Sequence, residues 1–394
     1  MSAWRRAGNW TLQFVLRPLL QIALFIFISS LVMSVLALAV GFILRTPWHG
    51  ISILYTLPGI DLLEQVVKQL PNTILDGITI GFVYAMIALG YTMVYGVLKF
   101  VNFAHSEVFM VGGVVGYEII AVFRDSKLLA TFPALLMVLI MLVTAMVVCG
   151  LLAVVIERFA YRPLRNAPRL VPLIAAIGIS FFLQDFVRAV EALHRNEFNF
   201  AYPASDVPYL AQRFTTSITT VWGDHALKIS TGINMTAIVV IISAILMLIG
   251  LNYFVNGTKL GRAIRAVSQD QSTAALMGIN VNYMISITFL VGGALGGAAG
   301  VLFGLKTTLI TPYVGFTPGI KAFTAAVLGG IGNITGALLG GLMLGLLEAF
   351  FSGLLPYFPA LGTGYSDLMA FAVLILILIF RPAGLLGKRA DEKV

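Results

Sequence analysis

Apolar runs of the length that crosses a lipid bilayer recur from one end of this chain to the other. A membrane-spanning helix needs roughly 20 consecutive apolar residues. The pattern places such spans near 19–44, 73–98, 106–123, 132–156, 171–188, 234–255, 284–304, 321–333, 334–352 and 365–380. Inside hydrocarbon every backbone polar group must be satisfied within the protein, which leaves helices or a closed barrel. A barrel would show segments of about ten residues with alternating hydrophobicity, and no such alternation stands out. The expected fold is therefore all-α, a polytopic integral membrane helical bundle of about ten transmembrane segments. Composition agrees: mean hydropathy is +0.97 and only 11% of residues are charged, against about 25% in soluble domains.

The run from Leu19 to Leu44 is longer than the 7–15 residues of a signal-peptide core and no small-residue cleavage site closes it, so it reads as a retained anchor. Ten crossings put both termini on one side. The loops on that side hold 15 Lys and Arg in 80 residues, the opposite loops 8 in 109. Positive charge collects on the cytoplasmic side of membrane proteins, so both termini are predicted cytoplasmic. The basic pI near 9.6 follows from this dispersed loop charge and gives no reason to invoke nucleic acid.

The shortest spans flank Gly329–Gly330–Ile331–Gly332–Asn333, and 321–333 either crosses or re-enters. Treating 321–352 as one helix would carry the basic tail with Arg381, Lys388, Arg389 and Lys393 to the other side, so the break is kept. Gly292, Gly296, Gly300 and Gly304 recur every fourth residue, a smooth stripe that lets another helix approach closely. That partner is either a neighbouring helix of the same chain or the wall of a subunit interface or pathway. Gly336, Gly340, Gly341 and Gly345 repeat the device.

The segment from Gly261 through Ile279 is a polar island. Read as one helix, it places Arg262, Arg265, Gln269 and Ser272 on one face and Ala263, Val267 and Ala274 on another, as expected for a helix on a surface or in a groove. A second polar cluster, Asn102, His105, Ser106 and Glu107, sits at a predicted membrane edge. There it must face protein, water or a ligand, as a hydrogen-bonded turn or as a contact for substrate or partner. Glu118, Asp185, Glu348 and Asp367 lie in or near spans; Arg124 is the nearby base expected to pair with Glu118, Asp185 and Asp367 read as interfacial, and Glu348 is the deepest. One His and one Glu two apart make a poor metal set, and Cys149 is the sole cysteine, so neither a metal site, a cofactor nor an intrachain disulfide is expected.

No G-x-x-x-x-G-K-[ST] phosphate loop occurs; Gly384–Leu385–Leu386–Gly387–Lys388 has the wrong spacing. The chain is thus either an ion-coupled carrier or the membrane half of a pump whose ATPase is a separate protein. Carriers often show inverted repeats with paired broken helices, and no internal repeat is evident.

Several long stretches narrow the choice. These are Gly77–Ile78–Thr79–Ile80–Gly81 with Tyr84 through Gly96; Asn102–Phe103–Ala104–His105 with Glu107; Glu157–Arg158 with Tyr161 through Arg165; Ala176–Ile177–Gly178 with Leu183–Gln184; Gly261–Arg262–Ala263 with Arg265–Ala266, Asp270 and Gly278–Ile279; and Lys321 through Gly332. In these the chain resembles the permease subunits of bacterial branched-chain amino acid ATP-binding-cassette importers, specifically the first of their two permease types, over about residues 70–390.

The resemblance implies a permease domain at 71–390, an N-terminal extension at 1–70 carrying an extra transmembrane helix and an external segment, and a cytoplasmic tail at 391–394. It implies a non-enzymatic subunit of the inner membrane that forms half of a translocation pathway for branched-chain or other neutral amino acids, with urea or short amides as the alternative cargo. The implied partners are two ATP-binding subunits, a second homologous permease and an external substrate-binding protein, in membrane lipid. Gly261, Arg262, Arg265, Asp270 and Gly278 become the ATPase-coupling residues. Asn102, His105 and Glu107 become candidates for translocation or gating, and Gly292, Gly296 and Gly300 for helix packing. Ser106 stands where such permeases usually have glycine, so the turn there is expected to be hydrogen-bonded differently.

Overall fold

A computed structural model of the chain describes residues 15–45, 62–129, 131–165, 167–168, 170–195, 199–202, 210–222, 225–355, 363–381 and 384–386. The expected tail at 391–394 and most of the expected external segment after the first span lie outside the described residues. Within these, twelve helices carry the fold: α1 Arg17–Arg45, α2 Leu62–Leu98, α3 His105–Asp125, α4 Ala134–Ile156, α5 Leu170–His194, α6 Met235–Gly257, α7 Lys259–Gln269, α8 Gln271–Leu276, α9 Val281–Thr307, α10 Phe316–Gly329, α11 Ile334–Leu354 and α12 Ser366–Phe380. A π-helical turn, Glu157–Tyr161, extends α4.

Among the described residues eight helices are long and apolar enough to cross a bilayer. Two more, α10 with 14 residues and α12 with 15, span only about 21–23 Å at 1.5 Å per residue. The break between α10 and α11 stands where the glycines predicted it: Gly330 and Gly332 adopt φ of 101° and 89°, conformations that side-chain-bearing residues rarely take.

Helices α2, α3, α9 and α11 are largely buried, whereas α1, α4, α5 and α6 present much apolar surface outward. Small residues make this interior. A Cβ on Gly345 would lie 2.3 Å from Gly81 Cα, and one on Gly341 2.4 Å from Ala85 Cα, so α2 and α11 meet backbone to backbone. Helix α9 uses two stripes. Gly292, Gly296 and Gly300 face α2 and α3, while Gly293 and Gly297 face Cys149, Ala145 and Ala153 of α4. Without water to squeeze out, such close packing is what holds helices together in lipid. Among the side chains described in helix α1, only Ile22, Met33 and Ala37 are buried.

Two expectations change. The segment between α5 and α6 contains an antiparallel hairpin of two ten-residue strands, β2 Arg213–Trp222 with β3 His225–Asn234, following a short strand β1 Phe200–Ala201 that pairs with β4 Leu309–Ile310. Its Thr, Ile and Val content favours strand, and Asn72 of α2 secures it by donating to Ser230 O (3.2 Å) and accepting from Gly232 N–H (3.0 Å). The polar island, in turn, is two helices that meet at Asp270. Since α6 runs from the hairpin to the island, these features lie at opposite faces of the bundle.

Candidate functional site

The island is held against the bundle by its apolar side. Gly261, Ile264, Val267 and Ala274 are buried and Arg262 and Arg265 exposed. Thr258 caps α7, its hydroxyl accepting from Gly261 N–H (3.0 Å) and donating to Phe254 O (2.6 Å). Gly261 allows the tight corner that follows: a Cβ there would fall 2.2 Å from Phe254 O and 2.3 Å from Val255 O. Gly278, at φ 81°, follows α8 in the left-handed conformation common past helix ends.

Asp270 takes extended backbone (φ −153°) and caps α8. One carboxylate oxygen accepts from the N–H of Ser272 (2.8 Å) and Thr273 (3.1 Å), and the hydroxyls of Ser272 (2.6 Å) and Thr273 (2.8 Å) donate as well. These hydrogen bonds hold its pKa well below the usual carboxylate value. The single expected helix is therefore broken, and Ser272 belongs to the cap, not to the arginine face. Past it, Leu276 is 88% and Met277 78% exposed. These large apolar side chains at the tip were missed in the sequence; their isolation within a polar stretch was the available signal. Gln271 Nε2 donates to Val97 O (2.9 Å), tying α8 to the end of α2.

The second cluster is not at an edge. Lys99 turns the chain with φ 59°, and the six residues after Leu98 climb back so that α3 begins at His105 beside Gly296. That glycine is 15 residues into α9, about 22 Å along it and deep within a hydrocarbon layer of about 30 Å. The His105 ring fills the gap between Gly90 and Gly296, where a Cβ would meet it at 2.2 and 3.1 Å, and stands edge-on to Tyr91 at 4.8 Å. Asn102 Oδ1 accepts from the Tyr161 hydroxyl (2.6 Å). Ser106 donates to Phe103 O (2.7 Å) and packs on Gly319 of α10.

Glu107 is fully buried. Its Oε1 accepts from Gln184 Nε2 (2.9 Å) and the Ser180 hydroxyl (3.0 Å) of α5, while Oε2 has no hydrogen-bond partner and faces Gly315, just before α10. Beside it lies a cavity of about 210 Å³ floored by Ser106, Ser180 and Gln184 and walled by Tyr91, Phe103, Phe181 and Phe316.

Other charges find partners that sequence spacing hid. Glu157, fully buried, receives the Arg165 guanidinium and the Ser286 hydroxyl (2.6 Å), and Arg165 also donates to Asn282 (2.6 Å). Glu118 pairs with Arg195 (2.9 Å) and not with the expected Arg124, which approaches Asp125 at 3.8 Å. Glu348 and Asp367 share Lys321, at 3.0 and 2.8 Å, with the Tyr84 hydroxyl 3.5 Å from the same ammonium. Asp185 is exposed.

Eight long apolar helices among the described residues, with a short amphipathic helix laid on one face, make this a polytopic membrane protein. Residues 73–378 match the family described as branched-chain amino acid transport system, permease component, and the chain belongs to it. Among relatives, it is 42% identical over 319 residues to the high-affinity branched-chain amino acid transport system permease protein LivH of Escherichia coli K12, covering 81% of this chain and 96% of that protein. It is 42% identical over 321 residues to BraD, a permease of the same description from Pseudomonas aeruginosa, covering 82% and 97%. The ribose import permease RbsC of E. coli K12 is 33% identical over 134 residues, 32% of this chain and 40% of that one.

Proposed function

We propose that this chain is the permease of an importer for branched-chain or other neutral amino acids, powered by two ATP-binding subunits in separate chains and paired with a second, homologous permease. Residues 71–390 form the permease domain, and 1–70 are an addition that carries α1. The island faces the cytoplasm with both termini, and the hairpin faces the external binding protein.

The observation that carries this reading is the mounting of α7 and α8. Their buried side fixes them to α2, α6 and α9, and they present Arg262, Leu276 and Met277 outward. An apolar tip within a basic rim suits a groove on a partner whose rim is acidic. A conformational change there is driven only by differential binding of the ATPase to the two states of the permease. Asp270 supports the contact indirectly, by setting the angle of α8 relative to α7.

The test is Arg262→Glu in the complete importer reconstituted in proteoliposomes. Arg262 is exposed and outside the buried packing, so assembly of the bundle is retained while ATP-driven leucine uptake falls at least tenfold. Normal uptake by the variant would refute the docking assignment.

A further inference from the structure

We propose that the side of α5 carrying Ile177, Phe181, Asp185 and Arg188, together with the start of α10, is a water-lined wall of the translocation pathway, standing across it from the second permease. This rests on the permease reading and adds which face of the chain the pathway follows.

The depth of Asp185 is the first observation. Asp185 follows Gln184, whose amide donates to Glu107 (2.9 Å), and Glu107 stands in the first turn of α3 next to His105, level with the middle of α9. Counted along α5 itself, Asp185 lies nine residues before the terminal His194, about 13 Å from the helix end, in a hydrocarbon layer of about 30 Å. At that depth it is exposed and forms no ion pair among the described residues. Arg188, nearly one turn on, is exposed as well. Charges so placed are costly against lipid and belong in a bundle interior or a water-filled cavity.

Helical spacing says where this side points. Ile177, Phe181, Asp185 and Arg188 recur at intervals of four, four and three, and so share one stripe. Ile177 and Phe181 border the cavity of about 210 Å³ together with Phe316 of α10, and Arg188 donates to the Tyr313 hydroxyl (3.1 Å) just before α10. The stripe thus continues onto Tyr313 and Phe316, 51% and 61% exposed. A second stripe of α5, Phe182, Phe186, Ala189 and Leu193, has the same spacing and no polar residue, with the two phenylalanine rings stacked at 5.8 Å. Helix α5 therefore has two exposed sides of opposite character, and only the second suits lipid. A dry contact on the first would have to bring a cation to Asp185, since a buried charge is costly unless paired; water needs no such match.

Phe181 and Phe182 make the test, because they share a depth and are 61% and 63% exposed but point to different sides. Phe181→Cys and Phe182→Cys are made in the complete importer in nanodiscs and treated with a charged methanethiosulfonate, which reacts with the thiolate that forms in water. Native Cys149 is fully buried, so the background of this chain is low. Phe181→Cys is expected to react at least tenfold faster than Phe182→Cys, and its rate to change at least threefold when the ATPases are trapped with ATP and vanadate, as a pathway that opens alternately requires. Asp185→Leu, harmless on a lipid-facing side, is expected to lower leucine uptake at least fivefold with assembly of the complex retained. Equal rates at the two cysteines, a rate at Phe181→Cys that ignores the trapped state, or full uptake by Asp185→Leu would overturn the wall and leave the permease reading standing. If the wild-type importer shows no ATP-driven uptake of any neutral amino acid, the permease reading itself fails, whatever the cysteine rates.

Discussion

Gly261→Ala places one methyl group where α6 turns into α7. The added Cβ would lie 2.2 Å from Phe254 O and 2.3 Å from Val255 O, both backbone atoms and both well inside the 3.0 Å that real Cβ contacts respect. A rotamer change cannot relieve this, so either α7 swings outward by most of an ångström or the last turn of α6 opens. Overpacking of this kind costs about 1–3 kcal/mol. Alanine recovers part of that, about 0.5–1 kcal/mol, because it is the better helix former. Between the middles of these ranges the net loss is about 1.3 kcal/mol, and it falls on the attachment of the island. Gly250, in the middle of α6 with no atom within 4 Å of its would-be Cβ, is the control, since there alanine brings only the propensity gain. Hydrogen–deuterium exchange in nanodiscs reads the difference locally. Protection of α7 amides should fall about tenfold in Gly261→Ala, at 1.4 kcal/mol per factor of ten, and hold or rise in Gly250→Ala. Uptake should drop in the first variant alone. Wild-type exchange in α7 together with wild-type uptake in Gly261→Ala would show that the corner has slack and that the geometry drawn from it is wrong.

Three further outcomes are expected. Glu157→Gln leaves Arg165 without its anion in a site that is fully buried on the glutamate side; losing one partner of such a pair costs about 3–5 kcal/mol, so the thermal midpoint in detergent should drop clearly, and a midpoint within a degree of wild type would refute the burial argument. Lys321→Met strands Glu348 and Asp367 together and should destabilise more than the double change Lys321→Met with Glu348→Gln, a rescue that a merely steric role for the lysine would not produce. Because its hydrogen bonds lower the folded pKa of Asp270, its contribution is present above the ordinary carboxylate value of about 3.9 and is lost as pH falls through the lowered one. Exchange protection at Ser272 and Thr273 should therefore be flat from pH 7 down to about 4, whereas loss of protection near pH 5 would contradict the cap.

The spans were legible because hydrocarbon demands long apolar helices and little else in a sequence looks like one. The α10–α11 break was legible because Gly329–Gly330–Ile331–Gly332–Asn333 cannot continue a helix cheaply. The hairpin was not read, because the alternation of Leu227, Ile229 and Ile233 with Lys228, Ser230 and Gly232 is short and lies between two much stronger apolar spans. The division at Asp270 was written as an acid followed by Ser272 and Thr273, a capping pattern, but the helical period ran across it and concealed it. His105 and Glu107 were named as polar residues that must face something, and their depth was hidden because six residues after Leu98 lead inward. Lys321, Glu348 and Asp367 sit on three helices, so their pairing exists only after packing.

The two polar sites are joined by a short run of contacts. Gln271 bonds the end of α2, and the Asn282 and Ser286 side chains, in the first turns of α9 after the island, bond Arg165 and Glu157. The π-helical turn that begins at Glu157 ends at Tyr161, whose hydroxyl holds Asn102, and Asn102 opens the turn into His105 and Glu107. Each bond fixes the relative position of two elements, and Glu157 is the member buried without slack. A shift of α7 and α8 that carries the start of α9 must therefore either break the Glu157 cluster or move the turn that holds Glu107. The first is expensive, so the second is the softer response.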